Sequence, residues 1–201
     1  MEIRFEIVWG IWVKHIGTII ISEGFMIFIQ TRRLWLRNVQ PKDVPVMFDY
    51  RNNEICARYQ RGQTRDLPGI EALVQRRQND VMSTNAPFFV AVALGDTDEM
   101  VGEIVVMPSE GTISLGYTFS YQHHRKGYAF EALTALIDTL HERWPDWDFV
   151  SFTEPENQPS IALLRKLGYS DMGYVPSMDS QAFGKWITAT TAEEFTRATG
   201  R

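Results

Sequence analysis

Three strand-like segments in succession, joined by very short turns, constrain the fold more than any other feature of this sequence. Apolar, aromatic and β-branched residues fill 88–94 (FFVAVAL), 101–107 (VGEIVVM) and 112–119 (TISLGYTF), and Gly, Asp, Pro and Ser dominate the residues between them. Turns this short join antiparallel neighbours, because a crossover to a parallel strand needs a dozen or more residues. The segment therefore predicts an antiparallel meander.

Amphipathic segments on both sides of the meander predict helices, so the chain is predicted to be an α+β domain with a central mixed sheet. The spacing of apolar residues predicts helices over 41–48, 53–59 and 67–81, a longer helix after Gly127, a helix over 159–167, and strands at 33–39, 148–153 and from 169 onward. The run Thr191-Ala192-Glu193-Glu194 resembles a capping box and predicts a short helix or tail over 191–201.

The first 29 residues are the most apolar part of the chain. Lys14 and Glu23 interrupt the run well short of the roughly 20 apolar residues that a membrane-spanning helix needs. Glu2 and Glu6 are unlike the basic start of a secretory signal. The β-branched and aromatic residues between glycines predict strands joined by turns. As an alternative, the domain begins near Met26 and the preceding residues are an upstream extension without a functional role.

Composition excludes several classes of protein. The net charge of −5 provides no basic surface for nucleic acid. The single cysteine, Cys56, excludes an internal disulfide and a cysteine-cluster metal site. We expect a cytoplasmic protein, monomeric or homodimeric, that needs no metal and has neither nucleic acid nor membrane as a partner.

The segment 119–132 (FSYQHHRKGYAFEA) predicts a strand, a short basic loop and a helix start. Unpaired N–H groups and the positive end of the helix dipole favour phosphate oxygens there. Gly127 lets the backbone approach a ligand closely, and Arg125 and Lys126 add positive charge. These residues alone leave two readings open, a phosphate site and an ordinary basic strand-to-helix turn.

The same loop resembles the acyl-CoA loop of the GCN5-related N-acetyltransferases (GNAT), Gln/Arg-x-x-Gly-x-Gly/Ala. Three further segments agree with the RimJ/RimL branch of that superfamily, and together the four cover about residues 30–175. The similar segments are HRKGYAFEAL at 124–133, TRRLWLRNVQPKD at 31–43, VGEIVVM and LGYTF in the meander, and NQPSIALLRKLGY at 157–169, which resembles NxxSxxLxxKxGF.

The resemblance implies a GNAT fold, with a mostly antiparallel sheet and helices on both faces, over a domain at 30–190. It implies transfer of an acetyl group from acetyl-CoA, a cosubstrate, to a primary amine by direct attack. The acceptor is either a peptide or protein N-terminus or a small amine. Alternatives are an aminoglycoside or other small-molecule acetyltransferase, an acyl-CoA-binding module without turnover, and an interaction domain that binds no nucleotide.

The resemblance also implies where CoA binds. Backbone N–H groups of the loop and helix start would hold its pyrophosphate, and its pantetheine would lie between strands 112–119 and 148–153. A backbone N–H near Phe119 would face the developing oxyanion. The residues expected to contact CoA are Phe119, Tyr121, His124, Arg125, Lys126, Gly127, Tyr128, Ala129, Phe130 and Asn157.

Two residues are expected to act in catalysis. Ser160 would protonate the leaving thiolate or hydrogen-bond its sulfur, and Glu103 would accept the amine proton directly or through water. Asp179 and Glu154 are alternative bases. Leu164 stands where many family members have the tyrosine that acts as general acid. Aromatic residues that could line an acceptor cleft are Tyr59, Trp35, Tyr117 and Trp186.

The loop also departs from the family pattern in three places. His124 stands where Gln or Arg is usual, Arg125 where many relatives have Gly, and Phe130 where Thr is common. The second change predicts a stiffer loop, and the third removes a hydroxyl near the phosphates.

Overall fold

The computed structural model describes residues 4–8, 11–16, 19–22 and 25–199. Its strands form one sheet in which β1 to β9 follow chain order and the last two are exchanged, giving β9-β11-β10. The strands are β1 (Arg4–Val8), β2 (Ile11–Ile16), β3 (Ile19–Ser22), β4 (Phe25–Gln30), β5 (Leu34–Arg37), β6 (Phe88–Leu94), β7 (Met100–Ser109), β8 (Thr112–Phe119), β9 (Asp148–Thr153), β10 (Ser170–Val175) and β11 (Ser180–Lys185).

All neighbouring strands are antiparallel except β8 and β9. Eight strands, β4 to β11, make the mixed sheet of the main domain, and β1 to β3 extend it beyond β4. The helices are α1 (Val44–Asn52), α2 (Glu54–Ala57), α3 (Leu67–Arg77), α4 (Tyr128–Arg143), α5 (Gln158–Lys166) and α6 (Ala189–Thr199). Helix α4 makes the crossover that a parallel pair requires.

Apolar clusters cover both faces of the sheet, as the side chains of β6 illustrate. Its side chains alternate between two apolar clusters, so the whole strand is apolar. Phe88, Val90 and Val92 pack in the cluster that contains the apolar stripe of α4. Phe89 and Ala91 face the cluster formed with α1 and α3. The predicted α+β class, with a mixed sheet and helices on both faces, is therefore confirmed.

Several predicted helix boundaries differ from the structure. Helix α1 runs over Val44–Asn52 rather than 41–48, because Pro41–Asp43 form a 3-10 turn, and α2 runs over Glu54–Ala57 rather than 53–59. Helix α3 ends at Arg77 rather than at residue 81, because Asp80 is engaged in tertiary contacts: its carbonyl accepts from Asn38 and its carboxylate from the Phe89 N–H. Helix α6 begins at Ala189, two residues before the predicted cap.

Candidate active site

The sheet opens between its two parallel strands. Pairing of β8 with β9 covers three residue pairs, from Thr112 with Asp148 to Ser114 with Val150, and within the described ranges no further pair joins these strands. On its other side β9 stays paired with β11 as far as Thr153. The separation leaves a cavity of about 380 Å³ between the strands, which we call the β8–β9 gap. The structure thus contains the divergence that the family resemblance implied.

Main-chain groups near the end of β8 point away from β7, toward the side on which the gap lies. The Ser120 N–H donates to the Val101 carbonyl of β7 at 2.9 Å. Because polar groups alternate in direction along an antiparallel ladder, those of Tyr117 and Phe119 face away from β7. In agreement, the Phe119 carbonyl accepts a bond of 2.9 Å from His124 Nε2. The N–H groups of Tyr117 and Phe119 are therefore directed to the side on which the gap lies.

Residues from α2, from the segment that follows it and from the turn after β8 pack around the end of β8. The Cys56 thiol donates to the Phe119 carbonyl at 3.3 Å, and burial raises the pKa of that thiol. Gln60 Nε2 donates to the Tyr117 carbonyl at 3.1 Å. Tyr121 begins a 3-10 turn and packs against the cluster of α1 and α3 instead of continuing the strand.

The glycine loop has the backbone conformation of an open helix start. Gly127 precedes α4 with φ of +82°, and Arg125 also has positive φ, +61°. A positive φ is most easily adopted by glycine, the residue that many members of the family have at the position of Arg125. The N–H groups of Tyr128, Ala129 and Phe130 lie in the first turn, where no intrahelical acceptor reaches them. The loop therefore presents several N–H donors at one helix end.

Arg33, which immediately precedes β5, holds this loop in place. Its Nη1 donates to the Lys126 carbonyl at 2.9 Å, its Nε bonds Glu131 Oε2 at 2.6 Å, and its guanidinium lies 4.7 Å from the Tyr128 ring centre. Burial acts to raise the pKa of Glu131, but hydrogen bonds from Thr31 and Arg33 and the charge of Arg33 outweigh it and lower that pKa. Glu131 is thus an ionised anchor beneath the loop.

Asn157 and Ser160 stand at the start of α5 and line the gap. The Asn157 side chain caps the helix by accepting from the Ser160 N–H at 3.2 Å. The Ser160 hydroxyl lies 2.8 Å from the Tyr117 hydroxyl across the cavity. Leu164 lines the same cavity one turn further along. The start of α5 therefore brings one amide and one hydroxyl to the gap.

Glu103 lies in a buried ion pair. It is 2 % exposed, and Arg51 Nη2 lies 2.8 Å from both of its carboxylate oxygens. Tyr50 OH donates to Oε2 at 2.5 Å and Gln63 Nε2 to Oε1 at 2.7 Å. Burial, followed by the negative charge of Glu103, raises the pKa of Tyr50 well above its usual range. Arg51 Nε also donates to Oε2 at 3.2 Å, so four donor atoms from three side chains order the carboxylate. Glu103 is not among the residues that line the gap.

The alternative bases are also paired. Arg61 Nε bonds Glu154 at 2.9 Å, and its Nη2 lies 3.8 Å from Asp179. Asp179 also accepts from Tyr174 OH at 2.5 Å. Arg61 and Glu154 line the gap. This pairing ties the loop after α2 to the loops after β9 and β10.

The aromatic candidates for an acceptor cleft divide into two groups. Tyr59 and Tyr117 line the gap, whereas Trp35 and Trp186 do not. Trp186 instead stacks on His141, with 3.7 Å between ring centres.

Sequence reasoning missed the residues that support the site from a distance. Arg33 and Glu131 both lie in segments that carry the family resemblance, but nothing in either segment pairs them. Arg51 is 52 residues from Glu103 and belongs to no motif. Within the described residues no cluster of His, Cys, Asp and Glu suits a metal ion, and no helix there is long and apolar enough to cross a membrane.

Comparison with known proteins agrees with this geometry. Residues 33–170 match the model of a family described as an acetyltransferase (GNAT) domain. The protein named uncharacterized N-acetyltransferase YnaD of Bacillus subtilis is 28 % identical over 148 residues, which are 73 % of this chain and 84 % of that protein. The ribosomal protein uS5-alanine N-acetyltransferase of Escherichia coli is 28 % identical over 125 residues, covering 59 % and 64 % of the two chains.

Among solved structures, RimL, a ribosomal L7/L12 α-N-protein acetyltransferase in complex with coenzyme A, superposes with a TM-score of 0.64 at 18 % identity. The match covers 79 % of this chain and 97 % of the other.

Proposed function

The chain belongs to the GNAT acetyltransferase family and is an N-acetyltransferase, and from this premise we propose that its acceptor is a primary amine, either a protein N-terminus or a small amine. The observation that carries the proposal is the β8–β9 gap, which has free main-chain donors at one end and an open helix start beside it. Pantetheine is an extended chain of amides, so a gap in a sheet matches its hydrogen-bonding groups. A helix start with Gly127 matches a pyrophosphate.

We propose that the binding residues divide between these two parts. In this arrangement the N–H groups from Arg125 to Phe130 hold the pyrophosphate, while His124 and Lys126 border it. Asn157 and the main chain of Phe119 meet the pantetheine. Tyr121, which lies in the turn beyond β8, would contact CoA from the end of the gap.

The reaction needs three groups from the protein: a donor to the oxyanion, a proton source for the sulfur and an acceptor for the amine proton. The amine nitrogen forms a bond to the thioester carbon as the carbon–sulfur bond breaks, the amine loses a proton and the sulfur gains one. The Phe119 N–H is the proposed donor to the developing oxyanion, a contribution worth roughly 10²–10³ in rate. Ser160 faces the sulfur. Glu103 is the proposed base, and because it is not among the residues that line the gap, we propose that it works through water.

The acceptor side of the proposal rests on the relatives. Two similar proteins carry names that describe acetylation of ribosomal proteins, at an alanine of uS5 and at the α-amine of L7/L12. The wall formed by Tyr59, Arg61 and Glu154 stands at the gap, where an amine would enter. This arrangement supports a peptide amine as readily as a small one.

Acetyl-CoA should stabilise the folded protein. At 100 times its dissociation constant it should add about 2.7 kcal/mol to the free energy of unfolding. The measurement is thermal unfolding with and without acetyl-CoA on protein shown to be free of CoA, followed by thiol release with a panel of peptides, polyamines and aminoglycosides. Absence of any shift with millimolar acetyl-CoA contradicts the proposed function, while a shift without thiol release for any amine supports a binding module.

A further inference from the structure

Two hydroxyl groups meet inside the β8–β9 gap. Tyr117 comes from β8 and Ser160 from the first turn of α5, and their oxygens lie 2.8 Å apart. Both side chains line the cavity. Either hydroxyl can be the donor in this contact, so the pair can pass a proton toward a group bound in the gap.

The surroundings keep the Tyr117 hydroxyl protonated. Burial raises its pKa, and the hydrogen bond with Ser160 offsets this only in part. The charged side chains lining the cavity, Arg61 and Glu154, are paired with each other at 2.9 Å. No unpaired charge therefore faces the two hydroxyls from the cavity walls within the part of the chain that the structure describes.

Two further buried hydroxyl groups lie near this pair. Ser151, on β9, and Tyr169, after α5, are 2 % and 4 % exposed, and within the described ranges neither side-chain oxygen makes a hydrogen bond of good geometry. Burial raises the pKa of Tyr169, and the nearby Ser151 hydroxyl counteracts it. Most buried side-chain polar atoms have a well-formed hydrogen bond, so these two hydroxyls are exceptions.

The position used by many relatives for a tyrosine acid provides no hydroxyl here. Leu164 is 2 % exposed and belongs to the apolar cluster of α4. Tyr117 brings a phenol to the same cavity from the opposite wall, on β8 instead of α5.

We propose that Tyr117 is a positioning residue and proton source that acts through Ser160 on the sulfur of bound CoA. This inference rests on the proposed function. As the carbon–sulfur bond breaks, the sulfur takes the Ser160 proton and Ser160 takes the proton of Tyr117. The phenolate then recovers, through solvent, the proton that the attacking amine has lost.

The proposal predicts the acidity of the CoA thiol in the complex. Hydrogen bonds to a thiolate favour the charged form, so they lower the pKa of the thiol. Loss of one such bond should raise that pKa by about one unit. The measurement uses CoA labelled with ¹³C in the methylene bonded to sulfur, whose NMR shift reports ionisation of the thiol without interference from tyrosines or Cys56.

Four proteins are compared with the wild type in this titration. Ser160→Ala should raise the pKa of the bound thiol by about one unit, and Tyr117→Phe should raise it by a smaller amount, because Tyr117 reaches the sulfur only through Ser160. The double variant should match Ser160→Ala alone, because Tyr117 acts through Ser160. Tyr174→Phe is the matched control: it removes a phenol hydroxyl that bonds Asp179 outside the gap, so the thiol pKa should not change.

Failure of the relay and failure of the proposed function give different results in these measurements. If CoA binds all variants and the thiol titrates as in the wild type, the relay is wrong and the proposed function stands. If the two single changes add in the double variant, Tyr117 does not act through Ser160, which overturns the inference. If the wild-type protein binds no CoA by calorimetry, the proposed function itself fails, and the relay fails with it.

Discussion

Replacement of Glu103 by Gln should destabilise this fold far more than a typical polar substitution. The carboxylate and the Arg51 guanidinium form an ion pair in which each side chain is 3 % exposed. Gln keeps the shape but leaves the Arg51 charge buried without its counter-charge, and its amide would face the Gln63 amide that now donates to Oε1 at 2.7 Å. Breaking a buried pair from one side costs about 3–5 kcal/mol.

This cost translates into a measurable change in thermal stability. For a domain of this size, 1 kcal/mol corresponds to a shift of about 2–4 °C in Tm. Glu103→Gln should therefore lower Tm by roughly 6–20 °C. Arg165→Gln is the matched control, since Arg165 and Asp171 are 63 % and 38 % exposed and 3.5 Å apart, and it should cost less than about 1 kcal/mol.

A double variant tests the reasoning directly. Arg51→Met combined with Glu103→Gln removes both charges, so the free energy of unfolding should recover by at least about 1 kcal/mol relative to Glu103→Gln alone. Urea unfolding at constant pH provides the numbers. A Glu103→Gln protein as stable as the Arg165→Gln control, or a double variant less stable than both singles, would refute the argument.

The same variant also tests the proposed base. If Glu103 takes the amine proton through water, the pH–rate profile of folded Glu103→Gln should lose its lower limb and keep only the limb of the amine. A profile of unchanged shape with a normal rate would make Glu103 purely structural.

Two further predictions concern the glycine loop and its anchor. Gly127→Val and Gly111→Val place the same side chain at φ +82°, so each should cost about 1–2 kcal/mol of folding free energy. Only Gly127→Val should weaken acetyl-CoA binding, by about tenfold or more in calorimetry; equal affinities would contradict the loop assignment. Because the pKa of Glu131 is lowered on folding, its carboxylate stabilises the fold above its unfolded pKa, near 4.3, and this contribution is lost as pH falls through the folded value. Urea unfolding curves of Glu131→Gln and the wild type should therefore differ at neutral pH, by no more than about 1 kcal/mol, and converge in acid; a constant difference would contradict this sign.

The parts of the fold that depend on local pattern were predictable. Strands β6, β8 and β9 have the predicted limits, because alternation and turn residues act over a few positions. The end of α3 was not predictable, since Asp80 is drawn away by contacts with Asn38 and Phe89. Such tertiary contacts leave no local signal.

The candidate site also has parts that the sequence predicts and parts that it does not. The loop at Gly127 and the Asn157–Ser160 helix start lie in continuous motifs, so the sequence predicts them. The environment of Glu103 depends on Arg51, which is 52 residues away, and the partner of Ser160 lies 43 residues away on β8. Long-range pairing of this kind decides whether a polar residue is solvated or buried, and no periodicity reports it.

The short pairing of β8 with β9 gives an interior strand some properties of an edge strand. Along the end of β8, the Thr118 amide faces its ladder partner Glu103 on β7, whereas the Tyr117 and Phe119 amides face the gap. Amide hydrogen exchange should therefore alternate residue by residue, slow at Thr118 and fast at its two neighbours, although β8 lies in the interior of the sheet. A molecule with its own amides that fills the gap would act as the missing strand and slow the two fast positions together.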